Sequence, residues 1–312
     1  MFSTCPFAFS LLSLFYVTIS ASFLHSHHQK DIANGVDLRI LPLGDSITWG
    51  EGSSDSNGYR LALSNLITHD KNNNLSYIGS VKSGTMSNNE NEGHGGFTIS
   101  AVGQTGVQDY PLRPNVVLFM AGTNDVVFDV DLANAPKRVG TVIEEILSAC
   151  PDATVLVGTL LPLIKPDWLS KIKTLNSAIP GVVSDFAKAK KHVALVDMGR
   201  VNASHIQGDG IHPTDEAYAL IAAAWYDALI EVGKKDWIKT PLSPGQIQPS
   251  PDANQASKPI VGNVENNMPG NDWPQENPMW NSTRLAIYAL LTVGFIVIAR
   301  KAAIALIHRY KS

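Results

Sequence analysis

The stretch LRILPLGDSIT, residues 38–48, decides the fold. Its first six residues form a mostly apolar run typical of a buried strand, and Gly-Asp-Ser then makes a tight turn toward a helix. The same step recurs along the chain, with predicted strands at 76–81, 116–120, 154–160 and 193–197 and predicted helices at 59–68, 135–149, 171–189 and 215–232. Short strands alternating with helices predict a parallel sheet with helices on both faces. In such folds the chemistry lies at the carboxyl ends of the strands.

Composition and charge exclude several functional classes. The chain has 312 residues, of which 44% are hydrophobic and 17% charged, and its net charge is 24 − 28 = −4. This balance excludes an intrinsically disordered protein. It also excludes a basic nucleic-acid-binding domain, because the phosphate backbone would be repelled. The two cysteines are too few for a disulfide framework or a cysteine-rich zinc site.

Both ends of the chain are apolar and indicate passage to or through a membrane. Residues 1–22 contain an apolar run followed by small residues, the layout of a signal peptide cleaved near Ala21, with a short membrane anchor as the alternative. Residues 284–301 are predicted to form a transmembrane helix, since positive residues cluster on its C-terminal side and place residues 302–312 in the cytoplasm. A GPI signal and an interfacial helix are the alternatives, but a GPI tail should end in an apolar run.

One domain remains between these ends. Residues 240–283 are rich in Pro, Asn and Gln without apolar periodicity, which predicts a disordered stalk. Residues 36–239 then form a single domain outside the membrane, at the cell surface. Three glycosylation sequons agree with a secretory route, at Asn74, Asn202 and Asn281.

Two motifs can supply the main parts of a hydrolytic site. Ser46 on its tight turn would be exposed, with its N–H directed at a developing oxyanion. Asp209 stands three residues before His212, so its carboxylate can orient the imidazole while the imidazole takes the serine proton. Each motif also has a structural interpretation. Asp45 and Ser46 are favoured helix caps, and Asp-Gly and His-Pro are turn dipeptides.

Two further motifs lie between Ser46 and Asp209 in the chain. In Gly122-Thr123-Asn124-Asp125, after the strand at 116–120, the Asn124 amide can donate to an oxyanion and Asp125 can brace the loop. In NEGHGGFT, residues 91–98, consecutive glycines let a backbone N–H approach a substrate closely. A plain loop is the alternative for both. His94 either lines an acyl pocket or holds its loop by a hydrogen bond, and the second is favoured.

Taken in their order along the chain, the four motifs resemble the SGNH (GDSL-type) hydrolase superfamily over residues 38–232. Gly44-Asp45-Ser46 resembles the first sequence block of that superfamily and Gly96 the second, while the Asn124 motif and the Asp209–His212 motif resemble the last two. The resemblance implies a three-layer α/β/α sandwich with a parallel, five-stranded, flavodoxin-like sheet.

The resemblance also implies roles for individual residues. Ser46 would be the nucleophile, His212 the general base and then acid, and Asp209 the carboxylate that orients His212. The oxyanion hole would consist of the backbone N–H groups of Ser46 and Gly96 and the side chain of Asn124. Gly95 is a second candidate, but Gly96-Phe97-Thr98 fits the Gly-x-Thr pattern better. Supporting positions would be Asp45, Asp125 and His94. The resemblance implies no cofactor, and the scattered histidines indicate no metal site.

A narrower resemblance concerns residues 91–97 together with LNSAIP, residues 175–180. These segments resemble carbohydrate esterase family 3, which contains acetylxylan esterases. This implies removal of acetyl groups from a polysaccharide or another acylated substrate. The predicted stalk and anchor favour action at the cell's own surface. A lipid esterase or lysophospholipase of the same superfamily and a non-catalytic glycan-binding surface protein are the alternatives.

Overall fold

The structure, a computed structural model, describes residues 32–69 and 73–244. Within these ranges seven strands alternate with seven helices. The strands are β1 (Leu38–Asp45), β2 (Leu75–Tyr77), β3 (Val81–Lys82), β4 (Glu90–His94), β5 (Val116–Met120), β6 (Thr154–Gly158) and β7 (Val193–Val196). The helices are α1 (Ser46–Trp49), α2 (Tyr59–Thr68), α3 (Ile99–Gly106), α4 (Thr123–Val127), α5 (Ala135–Ala149), α6 (Pro166–Lys188) and α7 (Asp215–Lys234).

The strands form one sheet in the order β3-β4-β1-β5-β6-β7, with β2 also paired to β1. Strand β1 has β5 on one side and two short strands on the other. Leu38 is in register with Leu75 of β2, and Leu43 with Glu92 of β4. All pairs are parallel except β3 with β4. The sequence predicts five strands; the structure instead has seven in its described part, because two short strands share one side of β1 and β3 adds an antiparallel edge.

Apolar burial explains why most of these elements form where the sequence predicts them. Every residue of β5 and β6 is buried, as expected for strands covered on both faces. Helix α5 turns Val139, Val142 and Ile143 inward at helical spacing. Helix α2 packs on α7, while α3, α5 and α6 form a second packed group. The predicted α/β fold, with a mostly parallel sheet and flanking helices, is confirmed.

Several boundaries differ from the sequence prediction, and three of the differences are the largest. The segment 91–98 is predicted as a loop, but β4 occupies Glu90–His94 and its middle residues are buried. The strand predicted at 76–81 is divided into β2 and β3. Helix α6 begins at Pro166 instead of residue 171, because a proline fits the first helical turn, where its missing N–H costs nothing.

The packed region extends slightly beyond residues 36–239. Ile32 is buried, and its N–H donates to Oδ1 of Asn73 at 3.0 Å. At the other end, Nη1 of Arg39 donates to the carbonyl of Leu242 at 2.7 Å. Cys150 is fully buried, and burial raises the pKa of its thiol to about 11, so this thiol is largely protonated at neutral pH.

Several predicted segments lie outside the described residues. They are the signal peptide at 1–22, the transmembrane helix at 284–301, the tail at 302–312 and all of the stalk beyond residue 244. Among helices within residues 32–69 and 73–244, none is long and apolar enough to cross a membrane.

Candidate active site

Ser46 lies where β1 ends and α1 begins, at the carboxyl edge of the sheet. Asp45, the last residue of β1, caps α1 by accepting the N–H of Ile47 at 3.0 Å. Gly44 is required just before, since a Cβ there would lie 2.5 Å from the carbonyl oxygen of Met120. This close-packed turn leaves Ser46 5% exposed. Burial raises the pKa of the Asp45 carboxyl to about 6, against the hydrogen bonds from Ile47 and Thr123.

His212 and Asp209 lie on the loop between β7 and α7, facing Ser46. Nε2 of His212 is 3.0 Å from Oγ of Ser46, and its Nδ1 is 2.6 Å from Oδ2 of Asp209. Oδ1 of Asp209 accepts the backbone N–H groups of Ile211 at 2.9 Å and His212 at 3.0 Å. Burial alone would raise the pKa of the Asp209 carboxyl, but these hydrogen bonds lower it below its usual value. Asp209 therefore stays ionised opposite the imidazole.

These contacts assign the proton on the imidazole. An ionised Asp209 only accepts hydrogen bonds, so Nδ1 of His212 carries a hydrogen, and in the neutral imidazole Nε2 then has a free lone pair. That lone pair faces the Ser46 hydroxyl. The arrangement can therefore transfer a proton from Ser46 to His212 while Asp209 stabilises the resulting imidazolium.

The glycine loop after β4 lies against the same serine. The N–H of Phe97 donates to the carbonyl of His94 at 3.2 Å, and Gly96 has a φ of 82°. Left-handed backbone at the third residue of a four-residue turn is the requirement of a type II turn, which glycine meets without strain. A Cβ on Gly95 would lie 3.9 Å from Cβ of Ser46. Gly95 thus borders Ser46.

Asn124 is held against this glycine loop. It lies in α4, directly after β5, is 8% exposed, and donates from Nδ2 to the carbonyl of Phe97 at 3.0 Å. The amide group carries two hydrogens, so the contact with Phe97 leaves one for a ligand. Asp125 is fully buried, and it accepts the N–H of Ile99 at 2.8 Å and Nη2 of Arg138 at 2.9 Å. Asp125 therefore links α4 to α3 and α5.

His94 makes a hydrogen bond, the role that the sequence analysis favours for it, and its partner is Glu92, which the sequence did not identify. Its Nε2 lies 2.6 Å from Oε1 of Glu92, and its ring stacks on Phe97 with centroids 4.8 Å apart. Glu92 is fully buried and also accepts the N–H of Ser80 at 2.8 Å. The ring of His94 is thus fixed from two sides, and it fixes the first and last residues of the glycine turn.

A second buried acid, Asp109, shares a proton with Glu92. Burial raises the pKa of Asp109 to about 8, and the neighbouring Glu92 adds to this rise. Burial acts in the same direction on Glu92, but hydrogen bonds from His94, Asp109 and Ser80 outweigh it and lower the pKa of Glu92 to about 2. At neutral pH the pair therefore carries one negative charge, on Glu92, with Asp109 protonated.

A buried arginine joins the two sides of the site. Arg60 is fully buried and donates to the carbonyls of Thr48 at 3.2 Å and Trp49 at 2.9 Å, at the end of α1. It also donates to the carbonyls of Ser83 and Asn89, both at 3.0 Å, ahead of β4. Arg60 escaped the sequence analysis because its partners are distant in the chain. Glu92 escaped it because its segment is predicted as a loop, in which its burial is not apparent. The only signal near Glu92 in the sequence was the run of polar residues that forms β4.

The remaining predicted residues are distributed as follows. Ser46, His212 and Asp209 form one row of contacts, and Asn124 and Gly96 meet through the glycine turn. Asn74 and Asn202 are exposed on the surface, while Asn281 lies outside the described residues. In the part of the chain that the structure describes, no group of three His, Cys, Asp or Glu side chains is placed to hold a metal ion.

Comparison with known proteins gives a family match and a curated relative. The sequence model of the GDSL-like Lipase/Acylhydrolase family matches residues 43–220. A multidomain esterase of Ruminococcus flavefaciens is 26% identical over 260 residues, which cover 73% of this chain and 33% of that esterase. The chain thus matches only about a third of that relative's length.

Solved structures extend the likeness. A family 3 carbohydrate esterase of Clostridium thermocellum matches with a TM-score of 0.56 and 29% identity, over 64% of this chain and 98% of that one. A carbohydrate esterase family 3 structure from Talaromyces cellulolyticus shares the fold, with a TM-score of 0.53 and 21% identity, over 64% and 99% of the two chains. These matches confirm the predicted resemblance.

Proposed function

The chain belongs to the GDSL-like lipase/acylhydrolase family, and from this membership we propose that it is a serine ester hydrolase that removes short acyl groups, acetyl above all, from carbohydrate. The observation that supports this most strongly is the row of contacts from Asp209 through His212 to Ser46, with 2.6 Å and 3.0 Å between the hydrogen-bonding atoms. A buried serine in contact with an oriented imidazole is the arrangement that nucleophilic acyl transfer needs.

In the proposed mechanism Ser46 attacks the acyl carbonyl carbon. His212 Nε2 takes the hydroxyl proton, and Asp209 stabilises the imidazolium that forms. The carbonyl oxygen becomes an oxyanion, which accepts hydrogen bonds from the backbone N–H groups of Ser46 and Gly96 and from Asn124. His212 then gives its proton to the leaving alcohol oxygen as the carbon–oxygen bond breaks. Water attacks acyl-Ser46 by the same steps and releases the acid.

The substrate class rests on likeness to carbohydrate esterases. The match to the Clostridium thermocellum family 3 carbohydrate esterase, at 29% identity, covers nearly all of that chain. A small acyl group suits Ser46, which is 5% exposed and lies against the glycine turn. We therefore expect activity to fall as the acyl chain lengthens. A lipid esterase would show the opposite trend, and a glycan-binding protein would show no turnover.

The test is hydrolysis of p-nitrophenyl acetate, butyrate and octanoate by the purified chain. Ser46→Ala should reduce turnover of the acetate by about 10⁴-fold or more, since the nucleophile and its base act as a unit. Ser148→Ala, on the exposed end of α5, is the matched control and should hydrolyse at the parental rate. Unchanged turnover in Ser46→Ala would exclude the mechanism. A preference for octanoate would favour a lipid substrate instead.

We also propose that the chain enters the secretory pathway and is anchored by residues 284–301, with its enzymatic domain at the cell surface. The sequons at Asn74 and Asn202 support the route, because both side chains are exposed and can accept a glycan. Expressed in a eukaryotic secretory host, the chain should lose mass on enzymatic deglycosylation and should resist extraction by alkaline carbonate. A chain ending at residue 283 should be released into the medium. An unglycosylated, carbonate-soluble full chain would contradict the proposal.

A further inference from the structure

Glu51 lies beside Ser46 and has no part in the mechanism above. It stands between Gly50, where α1 ends, and Gly52, and both glycines have left-handed backbone with φ of 99° and 88°. The N–H of Glu51 donates to the carbonyl of Ser46 at 2.9 Å, and its carbonyl accepts the hydroxyl of Tyr218 at 2.6 Å. The backbone of Glu51 is therefore fixed relative to both Ser46 and α7.

The side chain of Glu51 extends over the opening of the site. Its Oε2 lies 3.7 Å from Nε2 of His212 and 3.5 Å from the point where a Cβ on Gly95 would lie. Cβ of Ser46 is 3.9 Å from that same point. The side chain is 46% exposed, and within the described residues no group donates a hydrogen bond to its carboxylate. The charge thus faces the space between Ser46, His212 and the glycine turn.

This position corresponds to the alcohol half of an ester. His212 Nε2 must reach the leaving alcohol oxygen to return the proton, so that oxygen lies within hydrogen-bond distance of Nε2. Glu51 approaches the same nitrogen from the solvent side. A hydroxyl on the carbon adjacent to the ester-bearing carbon would therefore lie near the Glu51 carboxylate.

Charge gives this position a chemical preference. A carboxylate close to the site would disfavour an oxyanion unless hydrogen-bond donors of the substrate bind it. Hydroxyl groups supply such donors, and hydrogen bonds to an ionised acceptor are about twice as strong as neutral ones. An anionic group at this place, such as a phosphate next to the ester, would instead be repelled.

We propose that Glu51 selects the alcohol half of the substrate. It does so by accepting a hydrogen bond from a hydroxyl group on the carbon adjacent to the one that bears the ester oxygen. Esters of neutral polyols, in which a free hydroxyl neighbours the acylated one, are then the preferred substrates. The inference rests on the proposed ester hydrolysis at Ser46 and adds the feature of the alcohol that the site recognises.

The test compares two acetates that differ at one group, 2-hydroxyethyl acetate and 2-methoxyethyl acetate, with released acetate as the readout. For the parental chain, kcat/KM should be about 10-fold higher for the hydroxyethyl ester, the effect expected for one hydrogen bond to a charged group. In Glu51→Ala this ratio should fall to about 1, because the acceptor is gone. In Glu51→Gln it should lie in between, since the amide oxygen still accepts without the charge.

Two controls separate the possible failures. Glu144→Ala, an exposed glutamate on α5, should keep the parental ratio. A parental ratio near 1, or an unchanged ratio in Glu51→Ala, would overturn the role of Glu51 while leaving ester hydrolysis intact. Acetate release from both esters that is equal in the parental chain and in Ser46→Ala would overturn the proposed function itself. If Glu51 acted only through His212, its replacement would change kcat/KM for both esters by the same factor. The ratio would then stay at its parental value, which would also overturn the inference.

Discussion

Strands β5 and β4 lie on opposite sides of β1, and both lead directly into the candidate site. Strand β5, VVLFM, is buried by apolar contacts and ends at the helix that carries Asn124. Strand β4, ENEGH, is buried just as deeply in its middle, yet it contains no apolar residue and leads into the glycine turn. Both strands position a part of the candidate site, β5 by apolar burial and β4 by hydrogen bonds.

Apolar burial and hydrogen bonding contribute different properties to the two strands. Apolar burial of β5 is non-directional and tolerates adjustment, so it supplies stability. The hydrogen bonds around Glu92 have defined geometry, so they can orient His94 and the turn beside it. A buried polar network is costly when one member is missing. We therefore expect substitutions in β5 to act mainly on stability and substitutions in β4 to act on activity as well.

The largest stability effect should come from β5. Phe119 is 1% exposed, and Phe119→Ala should reduce the free energy of unfolding by about 3–5 kcal/mol through lost burial and a cavity. Phe128→Ala is the matched control, because Phe128 is 54% exposed, and should change it by less than about 0.5 kcal/mol. Urea unfolding measures both. Equal effects of the two substitutions would contradict the claim that apolar burial of β5 supplies stability.

The largest effect on activity without a large loss of stability should come from Asn124. Asn124→Ala removes a donor to the oxyanion and the hydrogen bond to Phe97, and kcat should fall by about 10²–10³-fold. Asn134→Ala, at an exposed position before α5, should leave kcat unchanged. Steady-state hydrolysis of p-nitrophenyl acetate measures both. A change confined to KM would mean that Asn124 binds the ground state and does not stabilise the oxyanion.

A change in β4 should affect both properties moderately. Glu92→Gln keeps the shape but removes the buried charge that His94 and Ser80 contact, so stability should fall by about 1–3 kcal/mol and kcat by about 10-fold. Glu90→Gln on the same strand is the control, since the ion pair of the partly buried Glu90 with the exposed Lys82 is worth little. A loss of stability with unchanged kcat in Glu92→Gln would show that β4 does not orient the turn.

The smallest effect concerns pH. The pKa of Asp109 is raised to about 8 in the folded chain, above its unfolded value near 4, so its contribution to stability is present below pH 4 and lost as pH rises toward 8. Asp109→Asn removes this titration and keeps a donor toward Glu92. From about pH 6.5 to pH 8 the parental chain should therefore lose about 1–2 kcal/mol relative to the variant. Urea midpoints at several pH values test this. A difference that does not depend on pH would contradict the shared proton.

The same two strands show how far the sequence could predict the molecule. The bounds of β5, α2 and α5 were predicted to the residue, because apolar periodicity reports burial by apolar contact. Strand β4 was predicted as a loop, because its burial depends on hydrogen bonds to Ser80, Gln108 and His94, which no periodicity reveals.

Prediction of the site followed the same division. Ser46 and the Asp209–His212 pair were identified because their motifs are local and recognisable in one stretch of sequence. Arg60 and Asp109 were missed, because each acts on residues far away in the chain or through a pKa shift that only burial creates. Glu51 was missed for a related reason: its importance lies in its distance to His212, not in its sequence neighbours.

The central claim is that Ser46 is the nucleophile of an acyl-transfer site. The most direct measurement is labelling of the chain with a fluorophosphonate, followed by peptide mass spectrometry. The account predicts one adduct, on Ser46, that is absent in Ser46→Ala and forms at least about 10²-fold more slowly in His212→Ala, which lacks the base. No adduct on the parental chain, or an adduct that persists in Ser46→Ala at the parental rate, would contradict it.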